Sequence, residues 1–162
     1  MRRLSLLVAL LLVVIPGAFE TASAGPTATI ELRVRKDVKD LSPQEKADFV
    51  NAVLALKQTP SPFNPKFSYY DQFVWWHRQS FLCPIMAAHM SAAFLPWHRE
   101  FLLLFEDALR QVSGKPITIP YWDWTNPNST AAVFAPDFMG GNGKKTMRWA
   151  VMNGPSARAR GG

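Results

Sequence analysis

Every histidine in the chain (His77, His89 and His98) falls within a span of 22 residues, and the sequence around them admits few arrangements. Tyr70, Phe73, Val74 and His77 recur at i, i+3, i+4 and i+7, which predicts an amphipathic helix over residues 69–79. A second stripe, His98, Phe101, Leu102, Phe105, Ala108, Leu109 and Val112, predicts a helix over 96–112, with Gly114 at its C-cap. Each stripe carries one histidine on its inward face, and His89 lies between them. On one continuous helix His89 and His98 would sit on opposite faces, about 13 Å apart along the axis. They could then share no ligand. Pro96 changes this, because proline opens a helix readily and disfavours helical geometry at the preceding residue, here Leu95. Residues 92–95 can then turn the chain so that His89 faces His98. His77 reaches the same point from the preceding helix.

Three neutral imidazoles with no adjacent cysteine or carboxylate suit copper or zinc. The neighbouring Trp75, Trp76, Phe94, Trp97, Phe101 and Phe105 would keep water from such a site. Any packed core contains rings like these, however. On spacing and helical face alone, a three-histidine metal site and three core histidines are equally compatible with the sequence. A hydrolytic zinc site would also need a general base, and none stands beside the three histidines.

The first 24 residues read as an export leader. Met1, Arg2 and Arg3 make a short basic start, residues 6–15 are an unbroken apolar run, and Ala22, Ser23 and Ala24 supply small residues at a cleavage position. The apolar run falls short of the roughly 20 residues needed to span a bilayer, so no stable membrane anchor is expected. Cleavage near Ala24 would give a secreted or periplasmic protein. Losing Arg2, Arg3 and Glu20 takes the formal net charge from +6 to +5. That excess is spread along the chain, and we expect no nucleic-acid partner. The single cysteine, Cys83, excludes a disulfide within the chain and reads as a buried free thiol. With 162 residues, 48% of them apolar, the chain has material for one domain with a core.

Residues 30–35 alternate apolar and charged side chains, the period of a half-buried strand with a solvated basic face. Ser42, Pro43 and Glu45 form a capping-box pattern opening a helix that carries Phe49, Val53 and Leu56 on one face, and residues 59–62 end it. Glu106 and Arg110 are placed for an i, i+4 pair on the polar face of the 96–112 helix. Residues 117–122 read as extended, with Pro120 arguing against a central strand. Trp122 and Trp124 read as core packing, and beyond Asn126 the pattern is mostly loop. Capping or surface roles are expected for Asp71 and Asp123, and surface or inter-helix ion pairs for Arg99 and Glu100.

Three stretches of the sequence resemble one family. They are residues 70–78 (YDQFVWWHR) with His89 following, residues 94–101 (FLPWHREF), and residues 120–124 (PYWDW). Together they are similar to the first copper-binding half of the tyrosinase family, which includes polyphenol and catechol oxidases. Residues 138–143, with Val151, Gly154 and Pro155, resemble a loop of the bacterial members. The resemblance implies a mainly α, tyrosinase-like helical bundle, here incomplete, with a short N-terminal strand and long loops. It implies that His77, His89 and His98 ligate the first of two coppers in a dinuclear type 3 site. Such a site oxidises phenols and catechols to quinones with dioxygen.

The family's second copper needs three more histidines, and the 64 residues after His98 contain none. The expected organisation is a leader over 1–24, a partial copper-binding domain over 25–155 and an unstructured tail over 156–162. Such a chain would supply the first-copper half of an oxidase, with a second chain or a copper-delivery protein as partner. The alternative is a truncated mononuclear copper binder without turnover.

Overall fold

The structure, a computed structural model, describes residues 32–82, 88–155 and 157. The predicted leader, Cys83 and nearly all of the predicted tail lie outside these residues. From Arg33 onward the chain forms one compact unit. Its frame is three helices, α1 (Pro43–Gln58), α2 (Tyr69–Leu82) and α3 (Phe94–Ser113), followed by a short α4 (Pro127–Val133). The mainly α reading holds. No described helix is long and apolar enough to cross a membrane.

Local chemistry sets the ends of α1. The Ser42 hydroxyl accepts from the Glu45 N–H while the Glu45 carboxylate accepts from the Ser42 N–H, and Pro43 occupies the first turn, where no N–H is needed. At the other end Thr59 returns both its N–H and its hydroxyl to the Ala55 carbonyl. The link to α2 is held by polar contacts. Tyr69 N–H donates to Thr59 O at 2.7 Å, and the Ser61 hydroxyl donates to Gln72 Oε1, both side chains buried. Ser68 then accepts from the Asp71 N–H and donates to its carboxylate, so Asp71 has the capping role expected of it.

The core forms where α1 meets α2 and α3. Phe49, Ala52 and Leu56 of α1, Phe73 of α2, and Ala108 and Leu109 of α3 are buried together with Val38, Ile117 and Phe138. Rings bridge α2 and α3: Phe73 lies 5.6 Å from Phe101 and 5.1 Å from Phe105 in near-perpendicular contacts. Gly114 ends α3 with φ +65°, as predicted. At Gly140, φ is +79° and a Cβ would sit 2.1 Å from the Asn153 carbonyl oxygen, so this close approach of two loop strands requires glycine.

Several local expectations are corrected. Helix α3 starts at Phe94 and not at Pro96, and Leu95 is helical. Pro96 falls in the first turn, where its missing N–H costs no hydrogen bond, so the helix extends back past it. Residues 32–36 form no strand. The segment lies along residues 117–121 with one parallel bridge, Asp37 to Tyr121. Its faces are also reversed, with Val34 61% exposed while Arg33 and Arg35 turn inward. The cause is Glu106, expected on a polar face but only 1% exposed. Its carboxylate accepts from Arg33 at 3.3 Å, from Arg35 at 3.1 Å and from the Ile119 N–H at 2.9 Å.

Trp122 and Trp124 are exposed and not core residues; Trp122 donates to the Thr130 hydroxyl and meets Phe134 edge-on. The region after Asn126 contains α4, opened by the Asn126 side chain accepting from the Asn128 N–H with Pro127 in the first turn. That signal was present in the sequence. Asp123 has a turn role, accepting from the Thr125 N–H and hydroxyl. Arg99 and Glu100 are exposed on α3.

Candidate metal centre

Two helices and their connection each bring one histidine to the same place. His77 sits in the third turn of α2, His98 in the second turn of α3, and His89 between them, directly after the fully buried Ala88. Met90 follows with φ +57°, a left-handed step that reverses the chain. The turn then closes through Phe94 N–H donating to Ser91 O and Ala93 N–H donating to the Ser91 hydroxyl.

The three imidazoles surround a common point. Ring centroids are 4.9 Å apart for His77 and His89, 5.1 Å for His89 and His98, and 5.7 Å for His77 and His98. One nitrogen from each ring lies within 4.8 Å of the others. Three atoms at that separation lie at most about 2.8 Å from a common centre (4.8 Å divided by √3), against about 2.0–2.1 Å for a metal–imidazole bond. Small ring movements would close the gap. The donors also suit a metal electronically. His98 Nδ1 is 2.8 Å from the Phe94 carbonyl, which accepts its proton and leaves Nε2 free with a lone pair. Burial, and then the proximity of His89 and His98, hold the His77 pKa below its ordinary value and favour the neutral, ligating form. His89 Nδ1 is buried and has no hydrogen-bond partner among the described residues, a position that a metal or another polar group would satisfy. The residues fit a metal bound by three histidines.

Aromatic rings wall the site, though not all of those expected. Phe94 packs 4.4 Å from His98, Trp97 lies 4.9 Å from His98, and Phe101 lies 5.8 Å from His77 while stacked on Trp97. Trp75 instead faces Phe67, Trp76 packs on Phe63 and Phe73, and Phe105 packs on Phe73 and Tyr70 below the site. The sequence reading missed Phe81, whose ring is 5.0 Å from His89. It stands four residues after His77, on the same face of α2, which runs to Leu82 and not to residue 79. From His77 an apolar groove of about 310 Å³ runs between α2 and α3, lined by Tyr70, Phe73, Val74, Phe101, Leu102 and Phe105. Val74 and Leu102 on its rim are exposed.

Residues 68–160 match the common central domain of tyrosinase. The chain is 41% identical over 135 residues to a tyrosinase of Streptomyces antibioticus, covering 80% of this chain and 46% of that protein. It is 39% identical over 135 residues to a tyrosinase of Streptomyces glaucescens, with the same coverage. To grixazone synthase of Streptomyces griseus it is 38% identical over 138 residues, 80% of this chain and 42% of the relative. The chain thus spans about half the length of these relatives. With three histidines converging on one point in the segment so matched, the chain belongs to the tyrosinase family.

Proposed function

We propose that His77, His89 and His98 bind one copper ion, and that the chain is the first-copper half of a dinuclear oxidase acting on phenols or catechols. The observation that carries this reading is the convergence of three imidazole nitrogens from α2, α3 and their connection. Copper held there would supply dioxygen binding and electron transfer. The chain's own residues set the conditions for that chemistry. The Phe94 carbonyl orients His98 by holding its Nδ1 proton, and the depressed basicity of His77 keeps that ligand neutral. Phe81, Phe94, Trp97 and Phe101 pack around the half-buried histidines and give them a partly apolar surrounding. Held by His77, His89 and His98, a copper ion would supply the capacity to take up dioxygen and a phenolic oxygen.

The remaining three ligands would come from sequence outside this chain. The uncovered apolar groove between α2 and α3 supports this, since it borders His77 and is of the kind that a further helix pair covers. The second reading is a mononuclear copper binder without turnover, favoured by a single three-histidine group among the described residues. We further infer export, from the basic start, apolar run and small residues of the first 24 positions.

Copper titration with equilibrium competition tests the site, and catechol-dependent oxygen uptake tests the activity. One copper per chain, a raised melting temperature on loading, and loss of both in His98→Ala are expected. Stoichiometry unchanged in His77→Ala, His89→Ala and His98→Ala would overturn the assignment. Because the oxidase reading places three ligands outside this chain, uptake is measured with a segment bearing further histidines supplied: uptake abolished by His98→Ala would favour the oxidase reading, and stoichiometric copper binding with no uptake under that condition would favour the mononuclear one.

A further inference from the structure

On the loop after α4, residues 143–150 fold into a small finger that the metal centre does not use. Lys144 N–H donates to Ala150 O and Trp149 N–H to Lys144 O, while Arg148 N–H closes the 3-10 turn Lys145–Met147 on Lys145 O. At the root, a Cβ on Gly143 would lie 1.8 Å from the Trp149 carbonyl oxygen, so the two backbones touch there and only glycine fits. On the returning limb Arg148 (φ +52°) and Trp149 (φ +62°) are successive left-handed residues, a conformation disfavoured for any side chain with a Cβ. The surrounding hydrogen bonds hold them in it. The result is display, with Trp149 67% exposed and Lys144, Lys145 and Arg148 also exposed. No acidic residue occurs anywhere after Asp137.

We propose that this finger is a docking element for anionic lipid surfaces, with Lys144, Lys145 and Arg148 on the headgroup phosphates and carboxylates and Trp149 at the interface. Two features favour a lipid surface over an acidic protein. An exposed indole has an apolar body and one N–H donor, the chemistry that places tryptophan at the water–bilayer boundary. Three cations with no acid among them gain from a uniformly negative plane without needing paired acceptors.

The test is co-sedimentation of the full chain with vesicles of phosphatidylcholine alone or with about 30% phosphatidylserine, at low and at physiological salt. Any affinity of the apolar run at residues 6–15, and of Arg2 and Arg3 before it, is common to the wild type and the variants, so the readout is the change they make in the ratio between vesicle types. Each cation contributes about fivefold at such a surface, so the triple variant Lys144→Gln, Lys145→Gln, Arg148→Gln should lose about 100-fold in that ratio. Its melting temperature should not change, because glutamine is as strained as arginine at φ +52°. Quenching of tryptophan emission by brominated lipid in the anionic vesicles should disappear in Trp149→Phe. Equal binding to both vesicle types, selectivity retained in the triple variant, or quenching unchanged in Trp149→Phe would each overturn the proposal. So would tighter binding to soluble polyglutamate than to the vesicles, which would make the finger a site for acidic protein.

Discussion

Glu106 is the residue whose removal should cost the fold most for its size. Its carboxylate is 1% exposed and joins three elements: α3, the segment carrying Arg33 and Arg35, and the segment carrying Ile119. In Glu106→Ala the Ile119 N–H loses its acceptor, worth about 1–3 kcal/mol for a shielded donor. The two arginine contacts add less. Their side chains are 31% and 35% exposed, and Arg33 keeps Asp107 at 2.5 Å, so each is worth under about 1 kcal/mol. Truncation in a packed interior adds about 1 kcal/mol, for a total of about 3–4 kcal/mol. Glu106→Gln retains a carbonyl oxygen for Ile119 and most of the volume, and should cost about 1–2 kcal/mol. Urea unfolding reads this directly: with a slope of about 1.5 kcal/mol per molar, the alanine variant's midpoint falls by about 2 M and the glutamine variant's by about 1 M. Equal losses in the two variants would show that charge pairing and not the Ile119 contact carries the energy. Losses below about 0.5 kcal/mol in both would refute the anchoring role.

A pH dependence follows from His77, whose pKa is held below its ordinary 6.5 by burial and then by His89 and His98. The unfolded chain therefore binds the proton first, and the metal-free protein should lose stability as pH falls from 6.5 through the lower folded value. Thermal melts across that range should show the loss, with His77→Ala flattening it. Leu109→Ala should cost about 3 kcal/mol in urea because Leu109 is fully buried, whereas Leu102→Ala, at a site 38% exposed, should cost under about 1 kcal/mol. A Leu102→Ala loss that grows with protein concentration would mean that a second molecule covers the α2–α3 groove.

The helices were legible because their signals are local. Ser42, Pro43 and Glu45 satisfy each other within one turn, and Gly114 supplies a left-handed step that the sequence announces. Failures came where a distant partner decided. Residues 32–36 alternate correctly for a strand, yet Arg33 and Arg35 turn inward because Glu106 lies some 70 residues away in sequence and is buried beneath them. No periodicity carries that information. Trp122 and Trp124 failed for a different reason. Hydrophobicity gives a tendency to bury but no address, and the described chain brings nothing large enough over them.

The convergence of the three histidines was legible and the rings around them less so, and the difference is physical. A histidine on the stripe of a helix has its direction fixed by the 3.6-residue period, so His77 and His98 could be placed from α2 and α3 alone. His89 needed only a turn between them, and Met90 supplies it in a left-handed conformation that methionine does not advertise. Walls depend on where each helix ends and how it is rotated. One more turn of α2 brings Phe81 beside His89, while the rotation that aims His77 at the site carries Trp75 away towards Phe67. The sequence left a metal site and three core histidines equally open, and the packing is of a kind that could hold a metal. Three imidazoles set almost edge to face, with one nitrogen of each turned to a shared centre and a buried Nδ1 lacking a partner, make poor core packing. The same arrangement is a nearly complete ligand set.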